Sequence, residues 1–130
     1  MDPINAELLS EIATLQDVDV VWLYGSRARD DYTDNSDMDL AVALSLAADL
    51  GPEERVETLE RLRSKLDNAA TVKFSLVDIN RAPVPLAYNV ITQGVEIAVF
   101  NDLRLRAEQQ RIWSLWDEYK FEHERQRQSL

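Results

Sequence analysis

Residues 18–25, VDVVWLYG, form an uninterrupted apolar run that is rich in β-branched side chains and stops at a glycine. Such a run predicts a strand buried on both faces, followed by a tight turn. Apolar and β-branched residues also predict strands at 36–44, 71–79 and 95–100. Strands of this kind need helices on their faces to bury them.

Helical patterns lie between these strands. Apolar residues at helical spacing predict three helices, over about 3–16, 52–67 and 83–93. Asp2 is suited to cap the first of them and Pro3 to its first turn, and Gly94 is suited to end the third. Residues 26–30, directly after the glycine turn, are predicted to form a short helix, and residues 31–36 are turn-rich.

The end of the chain is different in character. Residues 101–130 contain neither glycine nor proline, which predicts one long helix over about 101–128 with Asn101 as its cap. One face of this helix carries a stripe of mostly apolar and aromatic side chains: Leu105, Ile112, Trp116, Tyr119 and His123. The sequence leaves open whether the aromatic residues belong to the core or to an interface with a partner. His123, the only histidine, is interpreted as a packing or interface residue rather than a catalytic base.

Together these patterns predict an α/β (α+β) architecture. It consists of a small mixed β-sheet flanked by helices, with a long C-terminal helix. The length predicts a single domain over residues 1–130, with its core at about 18–100.

Composition excludes several classes of protein. The chain has 130 residues and no cysteine, which rules out disulfides, zinc–thiolate sites and a cysteine nucleophile. The net charge is −10, all of it within residues 1–100, because residues 101–130 hold six acidic and six basic side chains. An acidic body repels a phosphate backbone, so direct nucleic-acid binding is not expected. The acidity is suited to a metal site or a basic protein partner, and equally to plain solubility.

Neither a membrane span nor a secretory signal is expected. No apolar run approaches the length that a spanning helix needs, and the N-terminal residues lack a basic region followed by an apolar stretch. A cytoplasmic protein is therefore expected.

The segment GSRARDDYTDNSDMD, residues 25–39, carries the chemistry. Asp37 and Asp39 are two apart on a predicted strand, so both carboxylates project from one face. Such close charges repel unless a cation neutralises them, and paired carboxylates with substrate phosphates are suited to Mg²⁺. Gly25 lets a phosphate approach the backbone, and Ser26 offers a hydroxyl and an N–H at the start of a short helix. Either motif alone is common in surface turns, but together on consecutive strands they indicate phosphoryl or nucleotidyl transfer.

This segment resembles the signature of the DNA polymerase β-like nucleotidyltransferases: Gly-Ser, ten residues, then Asp-x-Asp. The similarity continues through SLVDINRA (75–82) and VITQG (90–94), and so covers roughly residues 18–100. The small chain is similar to the minimal nucleotidyltransferases (MNT), which include MntA-type antitoxins paired with HEPN-domain toxins. The resemblance implies the nucleotidyltransferase fold.

The resemblance also implies roles for particular residues. Gly25 and Ser26 would hold the terminal phosphates of the nucleotide, and Arg27 could contact a phosphate or instead pair with a neighbouring carboxylate. Asp37 and Asp39 would be the catalytic pair and would coordinate Mg²⁺. MntA-type members transfer AMP from ATP to a tyrosine hydroxyl of the partner HEPN toxin and so silence its ribonuclease activity. The same reaction and the same kind of partner are expected here.

The third strand departs from the family's pattern. The family usually carries a third carboxylate there, and alignment on Val77-Asp78-Ile79 puts Ser75 at that position. Serine is a weak metal ligand and a poor base. Asp78 would face the other side of a regular strand, so it would reach the site only through a bulge. It is expected instead to end the strand and to bond locally.

Three functions remain to be compared. The leading one is an antitoxin enzyme that adenylylates a HEPN toxin. Ser75 supports a non-catalytic antitoxin that acts by binding alone, whereas the intact Asp37 and Asp39 favour the enzyme. The third is a stand-alone nucleotidyltransferase acting on a small-molecule hydroxyl, although such enzymes usually carry a second domain to bind the acceptor.

Overall fold

The structure, a computed structural model, describes the backbone of residues 6–15, 17–29, 37–45, 49–69 and 72–128. Five helices and four strands are assigned there, in the order α1 (Ala6–Ala13), β1 (Val18–Tyr24), α2 (Ser26–Arg29), β2 (Met38–Leu44), α3 (Pro52–Ala69), β3 (Phe74–Asp78), α4 (Val84–Gln93), β4 (Val95–Val99) and α5 (Asp102–Gln128). The predicted α/β fold, with a small mixed sheet, flanking helices and a long C-terminal helix, is confirmed. That residues 1–130 make up one domain stays a prediction.

Two of the residues that were predicted to cap or end a helix can be compared with the structure. The Asn101 side chain accepts a hydrogen bond from the Arg104 N–H at 3.1 Å, so the predicted cap of α5 is present. Gly94 ends α4 as predicted, but with an extended backbone (φ −76°) rather than a left-handed one. A side chain there would collide with the Val90 carbonyl, which is why a glycine suits this position. Asp2 and Pro3, the expected start of the first helix, lie outside the described residues.

The four strands form one sheet in the order β3-β2-β1-β4. The central strand β1 pairs antiparallel with both β2 and β4, while β2 and β3 run parallel. The end of β1 therefore lies beside the start of β2 and the start of β3. Gly25, Asp37, Asp39 and Ser75 lie at this end of the sheet, and Ser26 and the backbone of Arg27 follow directly in α2.

Helices cover both faces of the sheet, as its apolar strands require. One face packs against α1 and α3, with a core of Leu8, Ile12, Val18, Val21, Leu23, Met38, Leu40, Val42, Leu44, Leu62, Leu66 and Phe74. The other face packs against α4 and α5, with a core of Val20, Trp22, Ala41, Ala43, Ile79, Ala87, Val90 and Ile112. The alternation along each strand thus decides which side chains share a face with the candidate site.

The first half of α5 is held to the sheet by a buried polar network. The Arg104 guanidinium donates to Asp19 Oδ2 of β1 at 3.1 Å and to the Leu44 carbonyl of β2 at 2.7 Å. It also donates to Asn80 Oδ1 after β3 and to Glu108 Oε1 on its own helix. These contacts lie at the end of the sheet opposite the Asp37–Asp39 segment and attach α5 to three strands. None of the described helices is long and apolar enough to cross a membrane.

Candidate active site

The pairing of β1 with β2 brings the two halves of the sequence motif together. Tyr24, the last residue of β1, is the register partner of Asp39 in β2. The chain then turns at Gly25 and enters α2, with the Ala28 N–H donating to the Gly25 carbonyl at 3.2 Å. The Gly-Ser turn and the Asp-x-Asp strand, which are separated by ten residues in sequence, are therefore adjacent in space.

Gly25 is in contact with one of the predicted catalytic carboxylates. Its φ is +73°, in the left-handed region that L side chains avoid. A Cβ at this position would lie 2.6 Å from Asp39 Oδ2, so a side chain there would displace the Asp39 carboxylate. The turn thus needs glycine both for its backbone conformation and for the space that the Asp39 carboxylate occupies.

Asp37 and Asp39 lie on the same face of β2 because they are two residues apart. Asp39 shares this face with Ala41 and Ala43, so it is on the side of the sheet covered by α4 and α5. Asp39 is half-buried and Asp37, directly before the strand, is exposed. Ser26 is half-buried at the start of α2.

Ser75 lies beside Asp39 on the neighbouring parallel strand, as its register partner. It shares the face of Val77, which packs with the α4–α5 side of the sheet, and it is exposed. The strand position next to the Asp39 carboxylate is thus occupied by a hydroxyl group rather than by a third acid.

Asp78 is directed away from this site. It is on the opposite face of β3, where it accepts hydrogen bonds from Arg55 Nε at 2.6 Å and Arg55 Nη2 at 2.9 Å. Its Oδ1 also accepts the Asn80 N–H at 3.0 Å, which caps the turn after the strand. Asp78 ends the strand and bonds locally to Asn80 as expected, and no bulge turns it inward, but its pairing with Arg55, 23 positions away, was not predicted.

Tyr24 is an additional polar group at the site. Burial, reinforced by the nearby negative charge of Asp39, raises the pKa of its phenol above the usual value. The hydroxyl therefore stays protonated at neutral pH and is available as a hydrogen-bond donor. Tyr24 was not predicted from the sequence as a site residue, since a tyrosine at the end of an apolar strand looks like ordinary core.

Part of the segment that follows Gly25 lies outside the described residues. The backbone of Arg27 lies in α2, but its side chain, like that of Arg29, lies outside the described part of the chain, and so does the whole loop 30–36.

His123 lies on the exposed half of α5 and stacks against Tyr119, which agrees with a packing or interface role.

The donor set at this end of the sheet suits one magnesium ion. Two carboxylates two residues apart match a metal whose remaining ligands are substrate oxygens and water. Among the residues that the structure describes, no group of three or more acidic or histidine side chains could hold a metal by itself. Asp37 and Asp39 are thus the two described side chains at this position that could hold such an ion.

The chain belongs to the polymerase β nucleotidyltransferase family, whose family model matches residues 7–102. It is similar in structure to MNT antitoxins of toxin–antitoxin pairs, which confirms the resemblance inferred from the motif. No curated protein matches the chain.

Three solved structures illustrate this similarity. A toxin–antitoxin crystallised with AMP-PNP is 25% identical, with a TM-score of 0.66, over 88% of this chain and 90% of that chain. The MntA–HepT toxin–antitoxin is 26% identical, with a TM-score of 0.58, over 88% of this chain and 83% of that one. The fold is also shared with a structure from Shewanella oneidensis of a tri-AMPylated HEPN toxin in complex with its MNT antitoxin, at 23% identity, a TM-score of 0.61 and 88% of each chain.

Proposed function

We propose that the chain is an antitoxin that transfers AMP from ATP to a tyrosine hydroxyl of a partner HEPN ribonuclease toxin and so neutralises it. The observation that carries the proposal is the packing of Gly25 against the Asp39 carboxylate. This contact lies between the Gly25-Ser26 turn, which is proposed to bind phosphate, and the paired acids of a chain in the nucleotidyltransferase family. The partner and the nucleotide are inferred from similar chains that were solved as toxin–antitoxin complexes, one of them with AMP-PNP.

In this proposal each residue has a stated task. The backbone at Gly25 and the hydroxyl and N–H of Ser26 bind the terminal phosphates, and Arg27 is assigned to the same nucleotide. Asp37 and Asp39 hold Mg²⁺, which when bound neutralises phosphate charge at the reacting centre. The backbone of Asp39 is held by its strand pairing and its carboxylate lies against the Gly25 turn, which places the acid before the nucleotide binds.

The reaction is an in-line substitution at the α-phosphorus. The tyrosine oxygen of the toxin forms a new bond to phosphorus while the bond to the bridging oxygen of the β-phosphate breaks, and pyrophosphate leaves. Neither Ser75, a poor base, nor Asp78, which is paired with Arg55 on the other face, is assigned to accept the hydroxyl proton, which passes to solvent or to the phosphate. Among the residues that the structure describes, the proposal therefore relies on positioning and charge neutralisation.

The test is intact mass spectrometry of the toxin after incubation with this protein, ATP and Mg²⁺. The toxin is expected to gain mass in steps of one AMP, and an Asp37→Asn/Asp39→Asn double variant is expected to leave it unmodified. Omitting Mg²⁺ should have the same effect as the double variant. A toxin that gains no mass with the wild-type protein would contradict the proposal.

A second candidate function rests on Ser75. With a hydroxyl where the family usually has a carboxylate, the chain could have kept the fold and lost the reaction, and would then silence the toxin by binding alone. This candidate would be favoured if the toxin were inhibited but stayed unmodified in the presence of ATP. The Asp37→Asn/Asp39→Asn double variant should then inhibit the toxin equally well.

A further inference from the structure

Five rings form a stacked surface across α4 and α5, called here the aromatic ladder: Tyr88, Trp113, Trp116, Tyr119 and His123. Tyr88 stacks on Trp116 with ring centroids 4.3 Å apart, and Trp113 meets Tyr88 edge-on at 5.1 Å. Trp116 stacks on Tyr119 at 5.6 Å, and Tyr119 on His123 at 5.8 Å. The rings thus form a continuous series of contacts, from Trp113 through Tyr88, Trp116 and Tyr119 to His123 on the exposed end of α5.

The ladder continues the buried face of α5 onto the end of the helix that does not pack against the rest of the protein that the structure describes. Ile112, on this face, is buried with 1% of its surface exposed. Trp116, Tyr119 and His123 follow at spacings of four, three and four residues, so they lie on the same side of the helix. Yet Tyr119 is 40% exposed, Trp113 is 48% exposed, and residues 117–126 are all exposed. This length of helix extends for about 15 Å with an aromatic face that the described residues do not cover.

The charges favour a different protein over a second copy as the occupant. Each copy carries a net charge of −10, so two copies repel each other. The helix segment 113–126 has four acidic and two basic side chains, which again disfavours pairing of two identical segments. Aromatic anchors surrounded by acidic residues match a partner with an apolar docking surface and basic residues at its rim.

We propose that the aromatic ladder is the surface on which the partner toxin docks. This inference rests on the proposed function for the identity of the partner, but it concerns a surface distinct from the nucleotide site. Buried tyrosine and tryptophan side chains commonly contribute most of the binding free energy at protein interfaces. Docking through α5 would hold the toxin on the enzyme while its tyrosine enters the Gly25–Asp39 site.

The experiment measures binding of the partner HEPN toxin, without ATP, by calorimetry. A Tyr119→Ala/His123→Ala variant is expected to bind at least about tenfold more weakly than the wild type. Both residues lie on the exposed end of α5, so the thermal unfolding midpoint should be unchanged. Trp113→Ala, at the inner end of the ladder, is a second variant with the same expected direction.

Phe121→Ala is the matched control. Phe121 is 60% exposed on the same helix, but it lies about 140° around the helix axis from Trp116 and outside the ladder. It should bind the toxin like the wild type. Equal losses for Phe121→Ala and for the ladder variants would overturn the proposal, because the effect would then not depend on the ladder face.

Transfer kinetics separate this inference from the proposed function. If AMP is transferred, the ladder variant should show a raised KM for the toxin and an unchanged kcat. If no AMP is transferred but the ladder variant still loses binding, docking stands and the enzyme proposal fails. Three outcomes would each overturn the docking proposal. The ladder variants could bind the toxin normally, or the wild type could fail to bind it. The wild type could also self-associate through the ladder, with variants that lose this self-association but keep toxin binding.

Discussion

Gly25 is the residue with the strictest local requirement, because a side chain there would strain the positive φ and displace the Asp39 carboxylate. Gly25→Ala should push the Asp39 side chain away from its position and strain the turn. We expect transfer activity to fall about 100-fold, as for other small displacements of reacting groups. We also expect a loss of about 1 kcal/mol or more of unfolding free energy. Steady-state kinetics and urea denaturation measure the two effects.

Gly51→Ala is the control for that variant. Its backbone is not left-handed, and the nearest atom to an added Cβ is Glu54 Oε1 at 3.8 Å, an ordinary contact. Activity and stability should be close to the wild type. If Gly25→Ala were as active as Gly51→Ala, transfer would not depend on the observed position of the Asp39 carboxylate.

Ser75 offers a test by addition of a group rather than by removal. Ser75→Asp would place a third carboxylate beside Asp39, where proton acceptance and metal binding become available. We expect the rate of transfer to rise about tenfold or more. Added Mg²⁺ should also raise the unfolding midpoint of this variant more than that of the wild type, since the ion relieves repulsion among three acids. Ser75→Asn, of similar size but uncharged, should show neither change; an equal gain in Asn and Asp would argue against a carboxylate effect.

Asp78 tests whether the acid at the end of β3 takes part in the site. Its side chain is 3% exposed and that of Arg55 is 15% exposed, so Asp78→Ala would leave a largely buried guanidinium without its partner. We expect a loss of about 3 kcal/mol in unfolding free energy with unchanged activity per folded molecule. Glu60→Ala, which breaks the exposed Glu60–Arg63 pair, should have little effect on either. Loss of activity in Asp78→Ala without loss of stability would assign Asp78 to the reaction instead.

At the scale of elements, the attachment of α5 depends on the charge of Glu108. Burial, the largest influence, would raise the pKa of this carboxyl, but hydrogen bonds from Asn80, Arg104 and Arg111 together lower it below its usual value. A lowered pKa in the folded state means that the ionised group stabilises the fold above its unfolded pKa of about 4.3. This contribution is lost as the pH falls through the folded-state pKa.

Glu108→Gln should therefore destabilise the protein in a pH-dependent manner. At neutral pH we expect a cost of about 2 kcal/mol, because hydrogen bonds to a charged group are replaced by neutral ones. The difference between wild type and variant should shrink below about pH 4.3, where the wild-type carboxyl also becomes neutral. Urea midpoints measured over this pH range check the trend, and a difference that stays constant with pH would contradict it.

At the scale of the whole molecule, the net charge of −10 bears on how a partner is met. A basic partner would be attracted over distances of about one Debye length, roughly 10 Å at moderate salt. We expect the association rate with the toxin to fall several-fold from low to high ionic strength, while the dissociation rate changes less. Stopped-flow measurements at several salt concentrations test this; an association rate that does not depend on salt would mean that charge has no part in the encounter.

The strands, most helix ends and the Gly25-Ser26 and Asp37-x-Asp39 pairs were readable from the sequence, because each depends on residues that are close together along the chain. The interpretation of Ser75 as the replacement for the third carboxylate was also reached from the sequence, and it agrees with the parallel register that pairs Ser75 with Asp39. The roles of these residues in transfer stay predictions.

Only the tertiary structure decided which distant groups meet. Arg55 pairs with Asp78 across 23 positions, and Arg104 with Asp19 across 85, and no local pattern indicates either contact. The spacing of Arg104, Glu108 and Arg111 along α5 looks like an ordinary solvated face, although the helix turns it into the sheet. The sequence likewise could not say whether the aromatic stripe of α5 is core or surface, because that depends on where the rest of the protein stops covering the helix.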